Sequence, residues 1–139
     1  MFWPQMSDTA TSIERVRQQA LVLIVEDQAD FVLFLEDCLK PVGYEVMTAR
    51  TGTEGKRLAE LKPDLIILDV GLPDMDGFDI CEQLRQSPTT KGVPILMVTA
   101  SHDWERGASA GASAYLQKPC SAEVIKAKVH ELVHGPRRG

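Results

Sequence analysis

No apolar stretch in this 139-residue chain approaches the ~20 residues that a helix needs to cross a bilayer. Runs such as LVLIV at 21–25 are strand-sized. No signal peptide is visible either, since MFWPQM is short and broken by proline. Cysteine is scarce: Cys38, Cys81 and Cys120 are odd in number and far apart. That excludes a disulfide framework and a zinc-finger spacing, and it reads as reduced thiols in a cytosol. Histidine is equally scarce. His102, His130 and His134 show no ligand spacing, and the last two, one helical turn apart, have no third ligand beside them. Positive charge is in deficit, 15 Lys and Arg against 20 Asp and Glu, for a net −5. This argues against direct contact with nucleic acid, whose readers carry a basic face. The remaining composition, 44% hydrophobic and 25% charged, is that of one globular domain long enough to bury a core.

What is present is an alternation. LVLIV (21–25), LIIL (65–68) and VPILMV (93–98) are short continuous apolar runs, and YEVMTA (44–49) and SAYLQ (113–117) are weaker strand patterns. Continuous rather than alternating apolar residues predict strands covered on both faces, as in a parallel sheet. Between them lie helical spacings: Phe31, Leu35, Cys38 and Leu39 within 28–40; Leu58 and Leu61 within 53–61; Phe78, Cys81 and Leu84 within 75–86; Ile125, Val129 and Leu132 within 121–134. PVGY after Lys40, KPD at 62–64 and SPTTKGVP at 87–94 are the stops. Strand and helix alternate five times, which predicts a doubly wound α/β sheet with right-handed crossovers.

Ligands of such sheets bind beyond the carboxyl ends of the strands. Those ends are polar here: Glu26 and Asp27 after the first strand, Asp69 after the third, Thr99 after the fourth, and Lys118-Pro119 after the fifth. Three carboxylates would crowd one cleft. At ~4 Å and an effective dielectric of ~20, each like-charged pair repels by about 4 kcal/mol. Lys118 neutralises one charge of the three, so a cation is expected, and oxygen-only ligands with room for water suit Mg²⁺. Singly, each residue also has a structural reading: Asp27 as a helix N-cap, Asp69 as turn chemistry, Thr99 as a strand end, Lys118 as a solvated charge, Tyr115 as core. Their joint placement favours the site. Asp74 and Asp76, in a Pro/Gly turn, read as turn and capping residues.

LIVEDQ, PDLIILDVGLPDMDGFDICEQLR, VPILMVTAS and GASAYLQKPC, in this order and spacing, together resemble the receiver domain of two-component response regulators over residues 21–133. The resemblance implies the flavodoxin-like fold, five parallel strands in order 2-1-3-4-5. It implies that Asp69 accepts a phosphoryl group from a sensor histidine kinase or a histidine phosphotransfer protein. It further implies that Asp27, Glu26 (through water), Asp69 and the Gly71 carbonyl hold Mg²⁺. Thr99 and Lys118 would contact the phosphoryl group, Tyr115 would be the aromatic switch, and a cis bond before Pro119 would aim Lys118 into the site.

Between Thr99 and Lys118 the chain is about three residues shorter than that family's usual stretch, close to one helical turn. Trp104, Ala108 and Ala110 are the apolar candidates there, with Gly107 and Gly111 interrupting. The fourth helix is expected to be short, distorted or absent, and residues 101–112 to be a low-stability segment that orders on phosphorylation. Cys120 stands where the family has Phe. The domain expectation is an N-terminal extension over 1–20, helical in part or disordered, a receiver domain over 21–134 and a short tail over 135–139, with no effector domain following. The expected function is a cytoplasmic phosphoacceptor, with no metabolic enzyme activity, that signals by protein contact, possible homodimerisation included, without membrane or nucleic acid. The alternative is a receiver-like interaction module that never takes phosphate. A magnesium-dependent aspartyl-phosphate phosphatase would need a second acid where Gly71 stands. A flavin carrier would need a Ser/Thr/Gly-rich loop where Glu26-Asp27 stand.

Overall fold

The structure, a computed structural model, describes residues 19–135. The N-terminal extension expected over 1–20 falls almost wholly outside them. Five parallel strands, β1 (Leu21–Val25), β2 (Glu45–Ala49), β3 (Leu65–Leu68), β4 (Ile95–Thr99) and β5 (Ala114–Gln117), stand in the order 2-1-3-4-5. Helices α1 (Ala29–Leu39), α2 (Gly52–Ala59), α3 (Gly77–Gln86), α4 (Trp104–Ala110) and α5 (Ala122–His134) fill the crossovers. This is the doubly wound sheet that the alternation predicted, in the flavodoxin-like order that the resemblance implied.

The apolar runs build two cores because strand side chains alternate between faces. Val22, Ile24, Leu65, Ile67, Leu96 and Val98 point to one face, where Leu35 and Leu39 of α1 and Ile125 and Val129 of α5 cover them. Leu23, Val25, Ile66, Leu68, Ile95 and Met97 point to the other, beneath Ala59 of α2, Phe78 and Cys81 of α3, and Ala110 of α4. Double coverage is why the runs are unbroken rather than alternating. The spacing over 53–61 predicts Leu61 on a buried stripe; instead α2 stops at Ala59 and Leu61 is 62% exposed.

The fourth helix is short, seven residues, yet regular and capped at both ends. Asp103 accepts from the Arg106 amide at its start, and Gly111 closes it with φ +106°, a conformation open to glycine. Gly111 thus terminates the helix rather than interrupting it. Gly107 does not weaken it either: a Cβ there would lie 2.7 Å from the Tyr115 ring, so its bareness is what lets β5 and α4 close. Trp104, expected on the apolar face, is 62% exposed, and Gly107 and Ala110 form that face. Polar ties from α3 finish the anchoring. Arg106 pairs with Asp76 and Asp79 and lies 4.5 Å above the Phe78 ring. Arg85 donates to the carbonyls of Val93 (2.6 Å) and Gly111 (2.8 Å), joining α3 to the entry of β4 and the end of α4.

Ile66 lies at the centre of the sheet, opposite Leu23 of β1 and Ile95 of β4. Ile66→Ala should lower unfolding stability by about 2–5 kcal/mol, through lost burial and an incompletely collapsed cavity. Urea denaturation followed by circular dichroism reads it, with the m-value unchanged.

Candidate functional site

The register of the sheet assembles the site. Val25 pairs with Leu68 across β1 and β3, so the residues that follow, Glu26 and Asp69, emerge side by side. The Asp69 amide donates to the Val25 carbonyl (3.0 Å) and the Glu26 amide to the Ala49 carbonyl (2.9 Å), carrying the ladders to the sheet's edge. Thr99 ends β4 opposite Gln117 of β5, and the Lys118 amide donates to the Thr99 carbonyl at 2.8 Å. The four elements therefore deliver Glu26, Asp27, Asp69, Thr99 and Lys118 to one edge.

Carboxylate oxygens of Glu26, Asp27 and Asp69 all lie within 4.8 Å of one another, the one such cluster among the described residues. Glu26 is 2% and Asp69 6% exposed. Lys118 reaches across them: its Nζ lies 2.8 Å from Glu26 Oε1, 3.0 Å from Gln28 Oε1 and 3.5 Å from Asp69 Oδ2. The same ammonium sits 4.3 Å over the Phe31 ring, which favours its charge from the open side. The Lys118-Pro119 peptide bond is cis. Burial raises the Glu26 carboxyl above its ordinary value, and the Asp69 charge adds to this. Hydrogen bonds from Lys118 and the Gln28 amide oppose it without cancelling it. Only in the pH interval between the two titrations does the folded chain bind a proton here that the unfolded chain has released. Between those two titrations, rising pH costs the fold stability at this residue. Three acids against one lysine leave an excess negative charge. The donor set is all oxygen and half-buried to buried, which fits a hard divalent cation.

The loop after Asp69 is tightly built. Gly71 and Asp76 pair across it, the Gly77 amide donates to the Val70 carbonyl (2.9 Å), and the Gly71 amide lies 3.3 Å from Asp69 Oδ1. Asp76 caps α3 by accepting from the Phe78 amide. Asp74 caps a different helix, α2, by accepting from the Gly52 and Thr53 amides. Asp27 is not the N-cap of α1. That position is Gln28, without a side-chain cap bond, which leaves the Asp27 carboxylate to the cluster. Thr99 Oγ1 accepts from the Ser101 amide at 3.3 Å, and its own proton remains free to donate onward. The Tyr115 hydroxyl donates to the Ser101 carbonyl at 2.8 Å, with the ring close against Gly107. Sequence reasoning missed Gln28 and Phe31 as partners of Lys118. It also missed Arg50, which donates to the Asp27 carbonyl at 2.6 and 3.2 Å. Their neighbours in the chain give no sign of contacts that span more than twenty residues.

Comparison with known proteins agrees with this fold. The family model described as the response regulator receiver domain matches residues 22–130. The alkaline phosphatase synthesis transcriptional regulatory protein PhoP of Bacillus subtilis is 41% identical over 116 residues, 81% of this chain and 48% of its own length. The response regulator PleD of Caulobacter vibrioides is 38% identical over 117 residues, 26% of its length. The signal receiver domain of a signal transduction histidine kinase from Syntrophus aciditrophicus superposes with a TM-score of 0.79 at 34% identity, covering 86% of this chain and 94% of that one. The chain spans about half or less of the length of the curated relatives it matches. The chain belongs to the receiver domain family of response regulators and is a signalling domain. None of the described helices is long and apolar enough to cross a membrane.

A Cβ on Gly77 would meet the Asp69 carbonyl oxygen at 2.5 Å and Val70 Cα at 2.6 Å, both backbone. Gly77→Ala must therefore displace the loop that carries Asp69. It should cost about 1–3 kcal/mol, read by thermal denaturation, and weaken divalent-cation binding at the cluster, read by calorimetry.

Proposed function

We propose that this receiver domain takes a phosphoryl group from a phosphohistidine onto Asp69, with Mg²⁺, and signals by protein–protein contact. The observation that carries this reading is the cluster of three carboxylates within 4.8 Å at adjacent strand ends, with a single lysine reaching into it. A fold gains nothing in stability from such a cluster. Asp27 and Asp69 would hold the cation directly, Glu26 through water, and Gly71 by its main-chain carbonyl. Bound there, Mg²⁺ would offset the charge that builds up as a phosphoryl dianion approaches three acids.

This chain's own residues supply position and charge. An Asp69 carboxylate oxygen attacks phosphorus, the new O–P bond forms as the P–N bond to the donor imidazole breaks, and the acid becomes an acyl phosphate. In-line transfer of this kind is mostly positioning. Lys118 stands 3.5 Å from the Asp69 oxygen and can shift from Glu26 to a phosphoryl oxygen. The Thr99 hydroxyl, its proton free, donates to another, a bond strengthened by the charge of its acceptor. Moving Thr99 toward Asp69 pulls on Ser101, whose amide it accepts from and whose carbonyl Tyr115 holds. That links the phosphorylation state to Tyr115 and the α4–β5 region, a two-state element biased by local charge. The phosphodonor would be a sensor histidine kinase or histidine phosphotransfer protein, in a cytosol that keeps the three thiols reduced.

The test is a mass measurement after incubation with a small phosphodonor and Mg²⁺. The wild-type chain should gain one phosphoryl group and Asp69→Asn none. No gain in either would leave a phosphorylation-independent interaction module. Asp27→Ala should weaken Mg²⁺ binding strongly by calorimetry, and equal affinity would remove Asp27 from the ligand set. Chelation should abolish phosphorylation while the circular dichroism spectrum is unchanged, because both cores are apolar and closed without the metal.

A further inference from the structure

The two loops that bear the acids are not bonded to each other only through the cluster. A third segment, residues 50–53, made of the β2–α2 connection and the first two residues of α2, carries no acid and reaches both. On one side the Arg50 guanidinium donates from Nη2 (2.6 Å) and Nε (3.2 Å) to the main-chain carbonyl of Asp27. On the other, Asp74 of the β3–α3 loop accepts from the Gly52 amide at 2.7 Å, the Thr53 amide at 3.0 Å and the Thr53 hydroxyl at 2.8 Å. The same donors, the Gly52 amide foremost, hold the Asp74 carboxyl below its ordinary range. The approach is close. A Cβ on Gly52 would lie 2.7 Å from Ile80 Cδ1 of α3 and 3.0 Å from the Met75 side chain, so a larger residue here would have to push these side chains aside. Thr51 in turn caps α2 by accepting from the Glu54 amide, which roots residues 50–53 in a helix.

We propose that Arg50 and Asp74 are positioning residues: through residues 50–53 they set the separation between Asp27 and the Asp69–Gly71 segment, and so the geometry in which a divalent cation is held. Neither touches the carboxylate cluster with its own charged atoms. Asp27 is held by its backbone, and Gly71 lies three residues before Asp74 on a loop closed by the Gly71–Asp76 pairing. Partners that orient ligands in this way set metal affinity without binding the metal. The inference rests on the proposed cation site.

The sign of one variant separates bracing from simple electrostatics. Arg50→Ala removes a positive charge near a cation site, and Coulomb attraction alone would then tighten binding. Loss of the brace loosens it. The experiment is a Mn²⁺ titration of the intact chain, following the paramagnetic resonance of free Mn²⁺, with wild type, D27A, R50A, D74A and the double variant R50A/D74A. Circular dichroism in chelator confirms that each is folded. R50A and D74A should each bind about tenfold more weakly, the low end of what ligand-orienting residues are worth. The double variant should be weakened by less than the product of the two, since both act through one segment. R50A binding as tightly as wild type, or tighter, overturns the brace while leaving the site intact, provided D27A has lost binding. A wild-type chain that takes up no Mn²⁺ overturns the site reading and the brace with it. Should D74A not fold, D74N keeps one acceptor for the Gly52 amide, and the R50A arm still decides.

Discussion

Everything at the functional edge follows from the parallel pairing of β1 with β3. With Val25 opposite Leu68, the next residues on the two strands are Glu26 and Asp69, so two acids leave the sheet as neighbours. A shift of register by one residue would turn one of them toward a helix face and scatter the cluster. The register is held by unbroken apolar strands covered on both sides, where any slip exchanges the two cores. Packing energy in the sheet thereby maintains a repulsive charge cluster that could not maintain itself. Lys118 relieves part of that repulsion from β5, the far edge strand, with its ammonium resting over Phe31 of α1.

Around this cluster the polar contacts divide by role. Lys118 and Gln28 act on the charges. The bonds at Asp74 and Arg50 act on the backbone that presents those charges, and Gly77 supplies the room for the β3–α3 loop to fold under Asp69. Thr99, Ser101 and Tyr115 form one chain of hydrogen bonds running from the site to the β5 edge. The Tyr115 ring lies close against Gly107, where a Cβ would come within 2.7 Å of it. A short α4 does not mean a loose one, since Arg106 and Arg85 tie both its ends to α3.

Much of this was legible in the sequence, for a physical reason. Strands buried on both faces must be continuously apolar, and charged residues at the end of such strands can only lie at the sheet's edge. LVLIV followed by Glu26-Asp27, and LIIL followed by Asp69, therefore state both the fold class and the place of the acids without coordinates. The spacing of Phe78, Cys81 and Leu84 likewise declares the buried face of α3, because a helix repeats every 3.6 residues. Only tertiary structure decided the rest. Leu61 and Trp104 fit an apolar spacing and are nonetheless exposed, because helix ends and chain direction, not periodicity, determine what the sheet covers. Gly107 and Gly111 look like breaks in sequence and prove to be a close contact and a terminator. Asp27 could have capped α1 until Gln28 took that position. Bonds between residues far apart in the chain, Arg50 to Asp27, Asp74 to Gly52 and Lys118 to Glu26, leave no local signature at either partner. They exist because strand order 2-1-3-4-5 brings four loops to one edge, and that order is a property of the whole sheet rather than of any segment of it.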